Sequence, residues 1–145
     1  MSAFMQSFLA LRERKDYAGI IDSIPYARLM GVEFEESGED SLLFRLPYYE
    51  RNIGNTLLPA LHGGLIGGFL ENAGLIHLMW VRATLEPPKV VDISFDYLRS
   101  GRPQTLYAQC QLTKQGKRVA NMLIECWQND RAKPVAVARA HFLLS

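Results

Sequence analysis

The segment His62 to Thr84, HGGLIGGFLENAGLIHLMWVRAT, most constrains what this chain can fold into. Its spacing predicts a helix that opens near His62-Gly63-Gly64 and runs to about Thr84. Leu65, Ile66, Phe69, Leu70, Ala73, Leu75, Ile76, Leu78, Met79 and Trp80 go almost all the way round it. A helix apolar on every side must be covered on most sides. The wider apolar run from Leu57 to Val81 is long enough to suggest a membrane span, but it holds Pro59, His62, five glycines, Glu71, Asn72 and His77. A carboxylate near the middle of a span costs about 3 kcal/mol on insertion scales. Burial inside a protein is the better account, and no membrane partner is expected.

The rest of the chain supplies the cover. Val90 to Leu98 alternates, with Val91, Ile93, Phe95 and Tyr97 on one face and Asp92, Ser94 and Asp96 on the other. Thr105 to Thr113, Val119 to Gln128 and Val135 to Leu144 alternate in the same way, which is the signature of half-buried strands. Lys114-Gln115-Gly116-Lys117 and Asn129 to Lys133 read as hairpin connections between them. Two earlier strands, Val32 to Glu36 and Ser41 to Pro47, flank the turn Ser37-Gly38-Glu39-Asp40, and Tyr48 to Leu61 reads as an irregular loop. Ser2 is placed to cap a first helix to about Lys15; a second covers Tyr17 to Ser23, and Pro25 to Leu29 adds a turn. Small inward residues, Ala108, Ala120, Ala136 and Ala138, leave room for something thick. The expected class is α+β: an antiparallel sheet wrapped around one long central helix.

At 145 residues, one domain spanning 1–145 is expected, with 1–24 as an N-terminal helical extension. A chain 48% apolar and 21% charged fits an ordinary globular protein rather than a disordered one. A formal charge of +1 argues against a nucleic-acid partner, which calls for a basic excess. Cys110 and Cys126 sit in apolar alternating segments without a metal-ligand spacing, so they read as reduced core residues of a cytoplasmic protein, a disulfide being the alternative. Met1 to Lys15 lacks the order of a secretory leader.

Chemistry concentrates in Asn55 to Gly74. The first N–H groups of a helix have no internal acceptor, and glycines there let a ligand approach the backbone. Gly63 and Gly64 therefore make a place to polarise a carbonyl and hold the oxyanion of acyl transfer. Glu71 is the only acid between His62 and Thr84; desolvation by its apolar neighbours would fit it as a general base. Glu71 lies eight residues beyond Gly63, about 12 Å along a helix axis, so one thioester carbon cannot touch both. If both act on one substrate, they come from two subunits, which predicts a homodimer or a dimer of dimers. The bland alternative for Glu71 is a buried pairing role, and for His62, His77 and His141 a structural one.

His62-Gly63-Gly64 with an acid nine residues after the histidine resembles the phenylacetate-degradation (PaaI-like) branch of the hotdog-fold thioesterase superfamily. The strand order, Pro25-Tyr26 through Met30-Gly31, and Val91-Asp92-Ile93-Ser94-Phe95 share the resemblance, which covers roughly Ile24 to the C-terminus. It implies a hotdog fold and hydrolysis of an acyl-CoA to free acid and coenzyme A. Glu71 would be nucleophile or general base, Gly63 N–H would polarise the carbonyl, and His62 would support the helix start. An upstream amide would position water: Asn55 is the best match, with Asn52 the competitor because this loop is about one residue longer. The acid is Glu where many relatives carry Asp. Some relatives carry Ser or Thr on the next strand where Val90 stands here, with Ser94 further on.

Further substrate contacts are expected from Gly64, Asp92, Ser94, Arg99, Lys114 and Arg118, against a solvated surface as the default for the charged ones. Arg102, Lys117, Arg131 and Lys133 share the strand ends and hairpins with these bases, and phosphates of coenzyme A are what such bases would meet. No metal and no separate cofactor are expected, coenzyme A being part of the substrate. The rivals are a non-catalytic acyl-CoA sensor and an acyl-thioester hydratase or dehydratase of the same fold.

Overall fold

A computed structural model describes residues 1–144. Three short helices come first: α1 (Ala3–Glu13), α2 (Tyr17–Asp22) and α3 (Pro25–Met30). Ser2 caps α1 by accepting from the Met5 N–H, and Asp16 caps α2 by accepting from the Gly19 N–H. Gly31 ends α3 at φ 83°, with the Gly31 and Val32 N–H groups both returning to the Ala27 carbonyl. A side chain at Gly31 would also stand 2.7 Å from the Tyr49 ring, so geometry and space both demand glycine.

Next come β1 (Glu33–Glu36), β2 (Leu42–Leu46), β3 (Ile53–Asn55), β4 (Ala60–Leu61), α4 (Gly63–Val81), β5 (Lys89–Tyr97), β6 (Leu106–Gln115), β7 (Val119–Trp127) and β8 (Ala136–Leu143). Six strands form one antiparallel sheet in the order β1-β2-β6-β7-β8-β5. Its inner face is built from the expected positions: Ala108, Ala120, Ala136, Ala138, Ala140 and Phe142 are all essentially buried. These small residues let the sheet close on α4, whose Phe69, Leu70, Ala73, Ile76 and Leu78 are buried completely. At Gly74 the approach is so close that a Cβ would lie 3.0 Å from Ile124. A cluster of Tyr17, Phe34, Phe44 and Trp80, with ring centroids 5.2–5.8 Å apart, joins α2, β1 and β2 to the far end of α4. This is the hotdog arrangement: a sheet wrapped on a central helix, with helices ahead of it.

Three details differ from the sequence reading. The stretch read as an irregular loop folds into a 3-10 turn (Glu50–Asn52) and the β3–β4 hairpin. There Asn55 Oδ1 accepts from the Leu57 and Leu58 N–H groups, an amide side chain standing in for a backbone turn. Helix α4 stops at Val81 because Arg82 is extended, and its guanidinium donates to the Gly116 carbonyl of the β6–β7 hairpin instead. Finally, a bulge between Val90 and Asp92 turns Val91 outward, leaving it 63% exposed, so Val90 takes the inward place.

Candidate active site

The start of α4 is assembled by its own first residues. His62, extended at φ −66° and ψ 130°, caps the helix with Nδ1, which accepts from the Gly64 N–H at 2.9 Å. An accepting Nδ1 carries no proton, so the neutral ring keeps its hydrogen on Nε2. Gly64 N–H is thus spent on the cap. Gly63 N–H has no acceptor within the helix and meets none outside it among the described residues. The Tyr97 hydroxyl donates to the Gly63 carbonyl at 2.8 Å. A Cβ at Gly67 would lie 3.3 Å from the Phe95 ring and 3.4 Å from the Tyr97 oxygen, so bare backbone lets these two aromatics rest on the first turns of α4. Sequence reasoning missed Tyr97 as a fastener; its signal was membership of the inward face with Ile93 and Phe95.

Gly64, Gly68, Glu71 and Leu75 recur at helical spacing and form the least buried stripe of α4. Glu71 is half-buried, and among the described residues it enters no ion pair. A carboxylate enclosed by apolar side chains was expected; within one chain the enclosure is incomplete. The glycines one and two turns earlier add no side chains, and Gly68 faces Tyr26 and Met30 of α3, with Tyr26 itself 53% exposed.

The remaining candidates divide. Asn52 joins the helix start through its carbonyl, which accepts from the His62 N–H at 2.9 Å. Asn55 is exposed and its side-chain oxygen is committed to the turn described above, leaving only its amide nitrogen. Asp92 and Ser94 lie on the outer face of β5, opposite α4, where Asp92 sits 3.3 Å from His141 and Ser94 pairs in register with Arg139. Period-two alternation decides this: Ile93 and Phe95 point inward, so their neighbours cannot. Lys114 and Arg118 belong to the β6–β7 hairpin beside Arg82, at the far end of α4 from Gly63. Within one chain neither Asp92, Ser94, Lys114 nor Arg118 meets the helix start. Arg99 does: it lines a shallow cavity of about 360 Å³ together with Gly63, Ile66, Tyr97 and Ser100. A cavity of about 600 Å³ between α2, α3 and β1 is lined by none of these candidates. Among the described residues no group of three or more His, Cys, Asp or Glu side chains could hold a metal.

A family model described as the thioesterase superfamily matches residues 58–135, from the turn between β3 and β4 to the residue before β8. The chain belongs to the thioesterase superfamily. The superfamily match includes Gly63, Glu71 and Tyr97 but neither Asn52 nor Asn55. Among proteins it resembles, the medium/long-chain acyl-CoA thioesterase YigI of Escherichia coli is 26% identical over 134 residues, 83% of this chain and 86% of that one. A crystal structure of a Chromobacterium violaceum protein is 61% identical, covers 97% of both chains and superposes with a TM-score of 0.83. The thioesterase HI1161 of Haemophilus influenzae shares the fold at a TM-score of 0.74, with 20% identity over 83% of this chain and 82% of that one.

Proposed function

We propose that this thioesterase-superfamily protein hydrolyses acyl-CoA thioesters in the manner of the phenylacetate-degradation-type branch, as a cytoplasmic homodimer or dimer of dimers. The observation that carries the reading is α4 itself: a helix start with an unengaged Gly63 N–H and, about 12 Å further along, one acid on the only stripe left open. The superfamily match and the name of the relative YigI support thioester hydrolysis and an acyl-CoA substrate.

In this scheme the thioester oxygen accepts from Gly63 N–H of one subunit, where the start of the helix favours developing negative charge. Glu71 of the partner subunit takes a proton from water, which attacks the carbonyl carbon; alternatively its carboxylate attacks directly and expels the thiolate, and water then cleaves the resulting anhydride, its proton going to the thiolate. The C–S bond breaks, the thiolate leaves and takes the proton back, giving acid and coenzyme A. Thiolate is a good leaving group, so no strong general acid is called for. His62, its Nδ1 occupied by the Gly64 N–H, holds the helix start rather than carrying protons. Asn52 or Asn55 positions the water, and docking of the partner supplies the cover that Glu71 lacks in one chain.

The test is thiol release from short, medium, long and aromatic acyl-CoAs by wild type and Glu71→Gln. Turnover of at least one thioester, reduced roughly 10²- to 10⁴-fold in the variant, is expected. No turnover of any member, or full activity in a folded Glu71→Gln protein, overturns the reading.

A further inference from the structure

Another cavity, of about 480 Å³, opens between the loop after β5 and the loop after β7, walled by Leu58 and Pro59 on a third side. Three cations line it, Arg99, Arg102 and Lys133, against one acid, Asp130. Asp130 is committed locally, its Oδ1 accepting from the Ala132 N–H and its carbonyl from the Lys133 N–H. Among the described residues four of the sixteen Lys and Arg side chains, Lys15, Arg45, Arg131 and Arg139, have a carboxylate within 4 Å, and what sets this cavity apart is that three of the others share one wall. Like charges gathered without a counter-ion repel one another, and an anion between them removes that cost.

The walls are fixed before any ligand arrives. Gln128 clamps the two loops, Oε1 accepting from the Arg102 N–H at 3.0 Å and Nε2 donating to the Arg102 carbonyl at 2.9 Å. Asn129 adds a bond to Gln104, and Leu98 and Arg99 donate their N–H groups to the Val135 carbonyl. The Arg99 guanidinium is tethered to the Pro134 carbonyl by one nitrogen, leaving its other donors. Arg102 and Lys133 hold the loops through their backbones, and among the described residues their side chains make no hydrogen bond or ion pair.

This cavity also meets the candidate active site. Arg99 and Ser100 line both it and the shallow cavity that contains Gly63. A ligand with its thioester at the Gly63 N–H therefore has a continuous surface path to the cations. Resting on the proposed thioester hydrolysis, we infer that Arg99, Arg102 and Lys133 bind the phosphates at the nucleotide end of coenzyme A. The site would then select free coenzyme A thioesters over those of pantetheine-like thiols, which lack the clustered phosphates. Charge-assisted contacts to phosphate are what three donors-only side chains supply.

The test compares wild type with the double variant Arg102→Ala/Lys133→Ala, spared at Arg99 because its side chain also ties the loop. Free coenzyme A binding is measured by calorimetry, and KM and kcat are measured for one acyl group on coenzyme A, on dephospho-coenzyme A and on N-acetylcysteamine. The expected result is a coenzyme A affinity roughly tenfold or more weaker in the variant. The KM for acyl-CoA should rise by a similar factor relative to that for the N-acetylcysteamine thioester, with kcat for acyl-CoA maintained. Unaltered coenzyme A affinity in the folded variant, or no binding by wild type at millimolar coenzyme A, overturns the inference even if thioesters are hydrolysed. Coenzyme A binding lost in the variant, with no turnover by wild type, keeps this site and overturns thioester hydrolysis instead.

Discussion

His77 offers a direct test of how tightly the sheet closes on α4. It is 3% exposed, and among the described residues its Nδ1 has no hydrogen-bond partner. Burial strips the imidazolium of its hydration and pushes the pKa from 6.5 down to about 4, with the Asp40 carboxylate pulling the other way. In the unfolded chain the ring titrates near its ordinary value, so between these pKa values the unfolded state binds more protons than the folded one. Stability contributed by neutral His77 is therefore complete above the unfolded pKa and is lost as pH falls towards the folded one. The whole gap corresponds to about 3 kcal/mol, of which about 2 kcal/mol disappears between pH 7 and pH 5. Urea unfolding at those two pH values, at one fixed protein concentration, should show that loss in wild type. His77→Met keeps an apolar side chain of adaptable shape but cannot be protonated, so its loss over the same range should be about 2 kcal/mol smaller. Surface carboxylates titrate in both proteins and cancel in the comparison. Equal losses in the two proteins would refute the argument, because His77 would then be as easily protonated folded as unfolded.

Burial also silences the thiols: it pushes Cys126 up to about 12 and Cys110 higher still, so a thiol reagent should label neither in the native protein and both after unfolding; fast native labelling of either contradicts this. Gly74→Val puts atoms where a Cβ alone already stands 3.0 Å from Ile124 and 3.1 Å from Phe142, and should cost about 1–3 kcal/mol by overpacking; an unchanged urea midpoint would show that those side chains yield freely. Tyr97→Phe removes the bond to the Gly63 carbonyl at an exposed position. It should lower stability by under about 1 kcal/mol while reducing kcat/KM several-fold, and a variant with undiminished turnover would show that the start of α4 needs no fastening.

Much of the fold was legible because its patterns are local and strongly periodic. The all-round apolar character of His62 to Thr84 demanded burial, and the four alternating runs after it supplied inward faces that the structure reproduces at nearly every position. Exceptions arise where one residue breaks the period. The bulge beside Val91 reverses its face and leaves Ile93, Phe95 and Tyr97 where alternation put them. The β3–β4 hairpin was unreadable as strands because each is only two or three residues long, and its turn is held by a side chain rather than by a glycine pair.

The candidate site was less legible for a reason of reach. Neighbouring residues of α4 can be related by spacing alone, which is why His62 and Gly63 stand at the helix start where the sequence put them, whereas the open stripe beside Glu71 depends on what packs against the helix. The Tyr97–Gly63 bond spans 34 positions, and the junction of Arg99 with Arg102 and Lys133 depends on two loops brought together by Gln128. No motif encodes either contact; both follow from the register of β5 against β8, which places the ends of those strands beside the start of α4. The same register carries Asp92 and Ser94 to the outer face of β5, so within one chain they stand away from the start of α4. Face, once fixed by a neighbour's burial, is the stronger constraint. On that ground the role proposed for an acid falls to Glu71, on the stripe of α4 that its own chain leaves least covered, rather than to Asp92 on the outer face of β5.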